Sequence, residues 1–193
     1  MDYAKLYEAL YQEGYRKGAD RCVGRGFIRD VVEFLEFETV LDVGCSYGKS
    51  LAILTKLGKR ATGTEVSPTA IAKAKALGRD CVYGSILDLP FSAESFDLVL
   101  STDVIEHIAE ADMKTAFTEM IRVSKKYLAL QIAFGKSKHV WPHLTRDNLH
   151  LTIWDEYEWQ IFLAQFPELQ LLKFSKSNQG KNLMFLLEKS DGS

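Results

Sequence analysis

Cysteine and proline are scarce: the 193 residues contain three and four of them. Cys22, Cys45 and Cys81 are far apart, odd in number and without C-x-x-C spacing, which argues against a disulfide framework or a zinc–cysteine site. That usage fits a reduced, cytoplasmic setting, with Cys22 and Cys81 read as small buried apolar residues. No run of Pro, Gly or Ser marks a linker, and no internal repeat appears, so residues 1–193 are expected to form a single domain. No apolar run approaches the ~20 residues that span a bilayer, and Met1-Asp2-Tyr3-Ala4-Lys5 lacks the basic start of a secretory leader. No membrane association is expected. Neither charge sign dominates, with 24 basic against 26 acidic residues. A nucleic acid partner is therefore not favoured.

What is present is an ordinary globular composition, 47% hydrophobic and 26% charged. A chain of this length buries roughly 70% of its unfolded surface. Helices are expected over 4–18, 22–36, 50–56, 68–77, 113–123 and 155–165, and strands over 39–43, 60–64, 80–83, 96–101 and 127–133. Ser67-Pro68 supplies an N-cap and a first-turn proline. Two closing runs, 169–174 and 182–188, flank Ser177-Asn178-Gln179-Gly180 and read as a hairpin. Strands alternating with helices imply an α/β, Rossmann-like doubly wound sheet, mostly parallel, with helices on both faces and one antiparallel hairpin strand at an edge. The expected division is an N-terminal helical cap (1–38), a core (39–133), a substrate loop (134–154) and a C-terminal helix and hairpin (155–193).

In Val40-Leu41-Asp42-Val43-Gly44-Cys45-Ser46-Tyr47-Gly48 an apolar strand ends in a glycine-bearing turn ahead of a helix. Such a turn lets a backbone approach a ligand, and the helix start favours anionic groups; two glycines at a strand end also serve as an ordinary turn. Glu65 ends the second strand 21 residues after Gly44 (65 − 44). A carboxylate there accepts hydrogen bonds from ribose hydroxyls. Together they point to a ligand containing adenosine.

From 25 to the C-terminus the chain resembles the class I S-adenosylmethionine-dependent methyltransferases. Asp42-x-Gly44-x-Ser46-x-Gly48 resembles their D/E-x-G-x-G-x-G motif, with Ser46 in place of a glycine. Serine there must avoid a glycine-only backbone geometry. Gly63-Thr64-Glu65-Val66-Ser67 is similar to the second acidic motif. Gly84-Ser85-Ile86-Leu87-Asp88-Leu89-Pro90-Phe91 is similar to the adenine loop, with Ser85 replacing an acidic residue. Ser95-Phe96-Asp97 through Thr102-Asp103-Val104-Ile105-Glu106-His107 is similar to the fourth-strand motif. Gly24-Arg25-Gly26-Phe27-Ile28 is similar to a segment of ubiquinone-type O-methyltransferases whose arginine meets the methionine carboxylate. The resemblance implies S-adenosyl-L-methionine as cofactor, bound by Arg25, Asp42, Gly44, Cys45, Ser46, Gly48, Glu65, Val66, Ser85, Ile86 and Thr102.

Asp103, Glu106 and His107 stand at i, i+3 and i+4, so a helix there places them on one face. They suit acid–base catalysis or a divalent metal. The same pattern occurs in metal-dependent small-RNA 2′-O-methyltransferases, where a later histidine completes the site. Its counterpart here is His150, with His139 and His143 as rivals. Asp103, His107 and His150 are the catalytic candidates. A metal is not favoured; if present, Asp103, Glu106, His107 and His150 would hold it. Tyr3, Tyr7 and Tyr11 recur every four residues, a stripe suited to packing, to an aromatic pocket or to an oligomer contact. The expected activity is O-methylation of a small molecule. Alternatives are an RNA 2′-O-methyltransferase and a non-catalytic cofactor-binding partner. A nicotinamide oxidoreductase is disfavoured because G-x-G-x-x-G is absent. A homodimer is compatible with the short chain.

Overall fold

The computed structural model describes residues 1–15, 22, 24–134, 149–177 and 180–190. Helices α1 (Tyr3–Gln12) and α2 (Arg25–Phe34) lead into an alternation of β1 (Thr39–Val43), α3 (Lys49–Lys56), β2 (Arg60–Glu65), α4 (Pro68–Ala76) and β3 (Cys81–Tyr83). Then come β4 (Phe96–Thr102), α5 (Glu110–Val123), β5 (Ser124–Ala133), α6 (Glu156–Leu163), β6 (Leu169–Lys176) and β7 (Asn182–Lys189). The strands form one sheet in the order β3-β2-β1-β4-β5-β7-β6. Five pair in parallel, and β7 runs antiparallel to both neighbours.

Alternation along the strands divides the core. Leu41, Val43, Val99, Leu128 and Leu130 meet α5 and α6 on one face, while Val40, Leu98, Leu100 and Ala129 meet α2 and α3 on the other. Strands covered on both faces are near-continuously apolar, as the sequence showed. Trp159 on α6 is 1% exposed and packs edge-on or tilted against Trp154, Phe117 and Phe162. Ser67 caps α4 by accepting from the Ala70 N–H at 3.2 Å. A capping box of Asp155 and Glu158 starts α6.

Four expectations shift. The first helix ends at Gln12, and 16–18 lie outside the described residues. The second begins at Arg25, after Gly24 in the left-handed region at φ +81°. α5 starts at Glu110 rather than 113, because its first turn is polar and carries no apolar period. The antiparallel strand is not at the edge: β7 lies inside and β6 outside. Burial decides this, since Leu183, Phe185, Leu186 and Leu187 of β7 are buried while β6 is half-exposed. Among the described residues no helix is long and apolar enough to cross a membrane.

Candidate functional site

The strand order reverses between β1 and β4, so the connections leaving their carboxyl ends diverge and open a crevice. A partly open cavity lies there, with about 650 Å³ of atom-free space counting the solvent at its mouth. Its floor is Val43, Gly44 and Ser46 from β1 and its loop, Glu65 and Val66 from β2, and Gly84, Ser85 and Ile86 after β3. Asp103, Val104, His107 and Ile108 supply the β4 side, and Tyr3, Tyr7, Tyr11 and Tyr15 the roof.

The glycine loop is fixed by its backbone. The N–H groups of Gly44 and Cys45 both donate to the Thr64 carbonyl at 2.9 Å. Gly44 has φ +74°, and a Cβ there would lie 2.5 Å from Val104 Cγ2, so only glycine fits. Ser46 does not avoid the left-handed region: its φ is +53°. Its N–H donates to Glu65 Oε2 at 3.0 Å, which holds the loop in that conformation. Glu65 is 5% exposed, and its Oε1 accepts from the N–H groups of Val66 at 2.8 Å and Ser67 at 3.1 Å. Burial pushes its carboxyl above the usual range, against these three backbone donors and the Tyr11 hydroxyl. These four donors match the about four acceptor positions of a carboxylate, so a diol on Glu65 would take the place of the Tyr11 hydroxyl. Asp42 lies beneath, fully buried. Burial raises its pKa to about 7, the Ser50 hydroxyl bond opposes the rise, and the charge of Glu65 adds to it.

Several predicted cofactor residues stand back from the cavity. Cys45 is buried, its Sγ 3.2 Å from Cys81 Sγ, and both thiols are free. Gly48, at φ +67°, starts α3 against Arg79 and Leu51. Thr102 packs on Gly24. Arg25 is exposed at the start of α2 and does not line the cavity. Ser85 does line it, but its hydroxyl accepts from the Leu87 N–H at 3.1 Å in a local turn.

The catalytic candidates are not on one helix face. Asp103 has φ +54°, and only a three-residue 3-10 turn, Ile105–His107, follows. This turns Asp103 aside. Its Oδ1 accepts from Gln131 Nε2 at 3.1 Å and from Asn182 Nδ2 at 3.2 Å, and its N–H donates to the Gln131 carbonyl at 2.9 Å. Glu106, His107 and His150 do converge, with one ligand atom of each within 4.8 Å of the others. Glu106 accepts from the Ala133 N–H, and Leu149 and Thr152 bond to the turn. His107 Nδ1 lies 2.7 Å from the Leu149 carbonyl. A carbonyl only accepts, so Nδ1 carries the hydrogen and Nε2 is the basic nitrogen. The His150 ring stands edge-on to His107, centroids 4.9 Å apart. His139 and His143 lie outside the described residues.

The roof is tied at both ends. Glu8 accepts from the Ser67 hydroxyl at 2.6 Å and from the Thr69 N–H and hydroxyl at 3.0 and 2.6 Å. Burial opposes its ionisation, but these donors and Gln12 bring its pKa down to about 2. The Tyr3 hydroxyl donates to Asp112 at 2.7 Å and accepts from the Ala109 N–H at 2.9 Å. Gln131, Asn182 and Glu8 were not singled out from the sequence. For Gln131 a signal existed: it is a polar residue within the buried run Leu128-Ala129-Leu130-Gln131-Ile132.

Residues 41–128 match the family model described as a methyltransferase domain. A ubiquinone biosynthesis O-methyltransferase of Methylobacterium sp. (strain 4-46) is 35% identical over 78 residues, 37% of this chain and 31% of that protein. Norajmaline N-methyltransferase of Rauvolfia serpentina is 34% identical over 96 residues, 45% of this chain and 32% of that protein. The chain thus spans about a third of the length of these curated relatives. Among solved structures, a chain of the complex between the Haloferax volcanii Trm112 methyltransferase activator and a methyltransferase superposes with a TM-score of 0.77 at 17% identity, covering 96% of this chain and 98% of its own. The Burkholderia thailandensis 1,6-didemethyltoxoflavin N1-methyltransferase, bound to its substrate and S-adenosylhomocysteine, gives 0.73 at 17% identity, covering 98% and 90%.

Proposed function

We propose that the protein is a class I S-adenosylmethionine-dependent methyltransferase, in keeping with the match of residues 41–128 to a methyltransferase-domain model, and that it transfers a methyl group from S-adenosylmethionine to an oxygen of a small molecule. The carrying observation is that one cavity joins Glu65 and the Gly44–Ser46 loop to His107 and a tyrosine roof. In this reading Glu65 takes the ribose diol, Ile86 and the Ser85 backbone border the adenine, and the loop after β1 carries the methionine part. Val66 packs the nucleoside, while Asp42, Cys45 and Gly48 shape the loop without touching the ligand.

The acceptor binds between the roof and His107. Its oxygen lone pair attacks the methyl carbon, the carbon–sulfur bond breaks, and that electron pair stays on sulfur. The hydroxyl proton passes to His107 Nε2, whose tautomer the Leu149 carbonyl fixes. Alignment of oxygen, carbon and sulfur supplies much of the rate. The relatives' names specify both O- and N-methyl transfer. Oxygen is favoured because a hydroxyl must lose a proton to the base that lines the cavity, whereas a neutral amine attacks without one.

A second reading rests on the convergence of Glu106, His107 and His150. Two imidazoles and a carboxylate suit a divalent transition metal, and the Leu149 carbonyl would orient a ligating His107. When bound, such an ion would lower the pKa of an acceptor hydroxyl. Asp103, turned toward Gln131 and Asn182, is not among these groups.

Melting the protein with S-adenosylhomocysteine, S-adenosylmethionine and NADH tests the cofactor. Ligand at ~100 times its dissociation constant adds roughly 2.7 kcal/mol, on the order of 5–10 °C. A shift with NADH alone would overturn the assignment. Labelled methyl transfer across phenols, catechols, amines and RNA then tests the acceptor. Activity that survives chelator but falls at least 100-fold in His107→Ala supports the base. Loss in chelator and recovery with zinc or manganese favours the metal. Cofactor binding without transfer to any acceptor favours a non-catalytic role.

A further inference from the structure

Two side-chain amides from strands far apart in sequence meet one oxygen of a carboxylate in the cavity wall. Gln131 is on β5 and Asn182 opens β7, and both donate to Asp103 Oδ1. Asp103 itself occupies the left-handed region at φ +54°, and its N–H is bonded to the Gln131 carbonyl. A non-glycine residue there is strained and persists only where its surroundings over-determine it. Three hydrogen bonds supply that constraint. Neither amide is needed to close the ladder: Gln131 and Asn182 pair through their backbones with Met184 and Ala133. The side chains are therefore spent on holding a carboxylate at a chosen place.

Strand spacing says what that place faces. Glu65 ends β2 and Asp103 follows β4, with β1 between them. Neighbouring strands lie about 4.8 Å apart, so two spacings separate these carboxylates by roughly 10 Å across the crevice. A ligand with its ribose on Glu65 and its chain over the Gly44–Ser46 loop ends beside Asp103. For S-adenosylmethionine that end carries an ammonium. We propose that Asp103 is the counter-charge for the cofactor's ammonium and that Gln131 and Asn182 are its positioning residues, which makes the C-terminal hairpin part of the cofactor site. This rests on the cofactor reading above.

The test compares S-adenosylhomocysteine with 5′-methylthioadenosine, which keeps the nucleoside and sulfur but lacks the amino-acid end. Calorimetry on the full chain should show Asn182→Ala weakening S-adenosylhomocysteine about five- to tenfold while methylthioadenosine changes less than twofold. Asn182→Asp, which sets a second negative charge beside Asp103, should alter its placement and weaken S-adenosylhomocysteine more than alanine does. In an Asp103→Asn background, Asn182→Ala should add less than twofold. The main-chain bonds of residue 182, its carbonyl accepting from the Ser177 N–H and its N–H donating to the Ser177 hydroxyl, are kept in each variant. Should alanine at 182 fail to fold, Asn182→Ser is read in the same way. Equal losses for both ligands, or no loss for S-adenosylhomocysteine, would overturn the proposal. If neither ligand binds the unaltered chain, the cofactor reading itself fails, a result distinct from these.

Discussion

Ser46 holds a left-handed backbone where related motifs carry glycine. The strain costs about 1–2 kcal/mol, and glycine returns about half of the relief as unfolded-chain entropy. Ser46→Gly is expected to raise the melting temperature by about 2–4 °C for a net gain near 1 kcal/mol, with the bond to Glu65 retained; scanning calorimetry checks it. Asp42 gives a signed pH dependence. Its pKa rises from 3.8 in the unfolded chain to about 7 when folded. The stability linked to its proton is complete below pH 4 and is lost as pH rises through 7. Asp42→Asn, which does not ionise, should melt higher than the unaltered chain at pH 8, with the gap narrowing toward pH 5. Both positions were visible as motif residues. Their backbone angle and burial were not, because those are set by Glu65 and Ser50, which arrive from other segments.

At the scale of elements, each helix and strand expected from periodicity is present, and the discrepancies have separate causes. The pattern found α6 through its apolar face. Trp159→Ala should remove roughly 3–5 kcal/mol by leaving a cavity beneath α6, seen as a fall of about 10 °C in the melt. The pattern also found the hairpin but not its order, since that depends on which strand is more fully buried by its neighbours. The i, i+3, i+4 argument for Asp103, Glu106 and His107 failed because it needs a continuous α-helix, and the chain makes a short 3-10 turn. The link between α1 and α4 had no local signature, as Glu8 and Ser67 are 59 residues apart. Glu8 ionises at about 2 when folded against 4.5 ordinarily. Its contribution is thus present above pH 4.5 and disappears as pH falls through 2. Glu8→Gln should lower the melting temperature at pH 7 and leave a shallower acid limb.

For the molecule as a whole, the crevice was legible because its floor comes from strand ends that carry recognisable motifs. Its roof is α1, whose tyrosine stripe and place in an N-terminal cap were legible in the sequence, while the Asn182 contact behind Asp103 comes from β7, which no local spacing places there. That arrangement bears on the time course of binding. With Tyr7, Tyr11 and Tyr15 over the cavity and α1 fastened through Glu8 and Tyr3, a ligand of nucleoside size is expected to enter only when the fastening parts. Observed association rates in stopped flow should then climb with cofactor concentration and level off at the rate of unfastening. Glu8→Gln and Tyr3→Phe should each raise that plateau. A rate linear in concentration up to the instrument's limit would mean that the ligand enters past the helix without waiting for it.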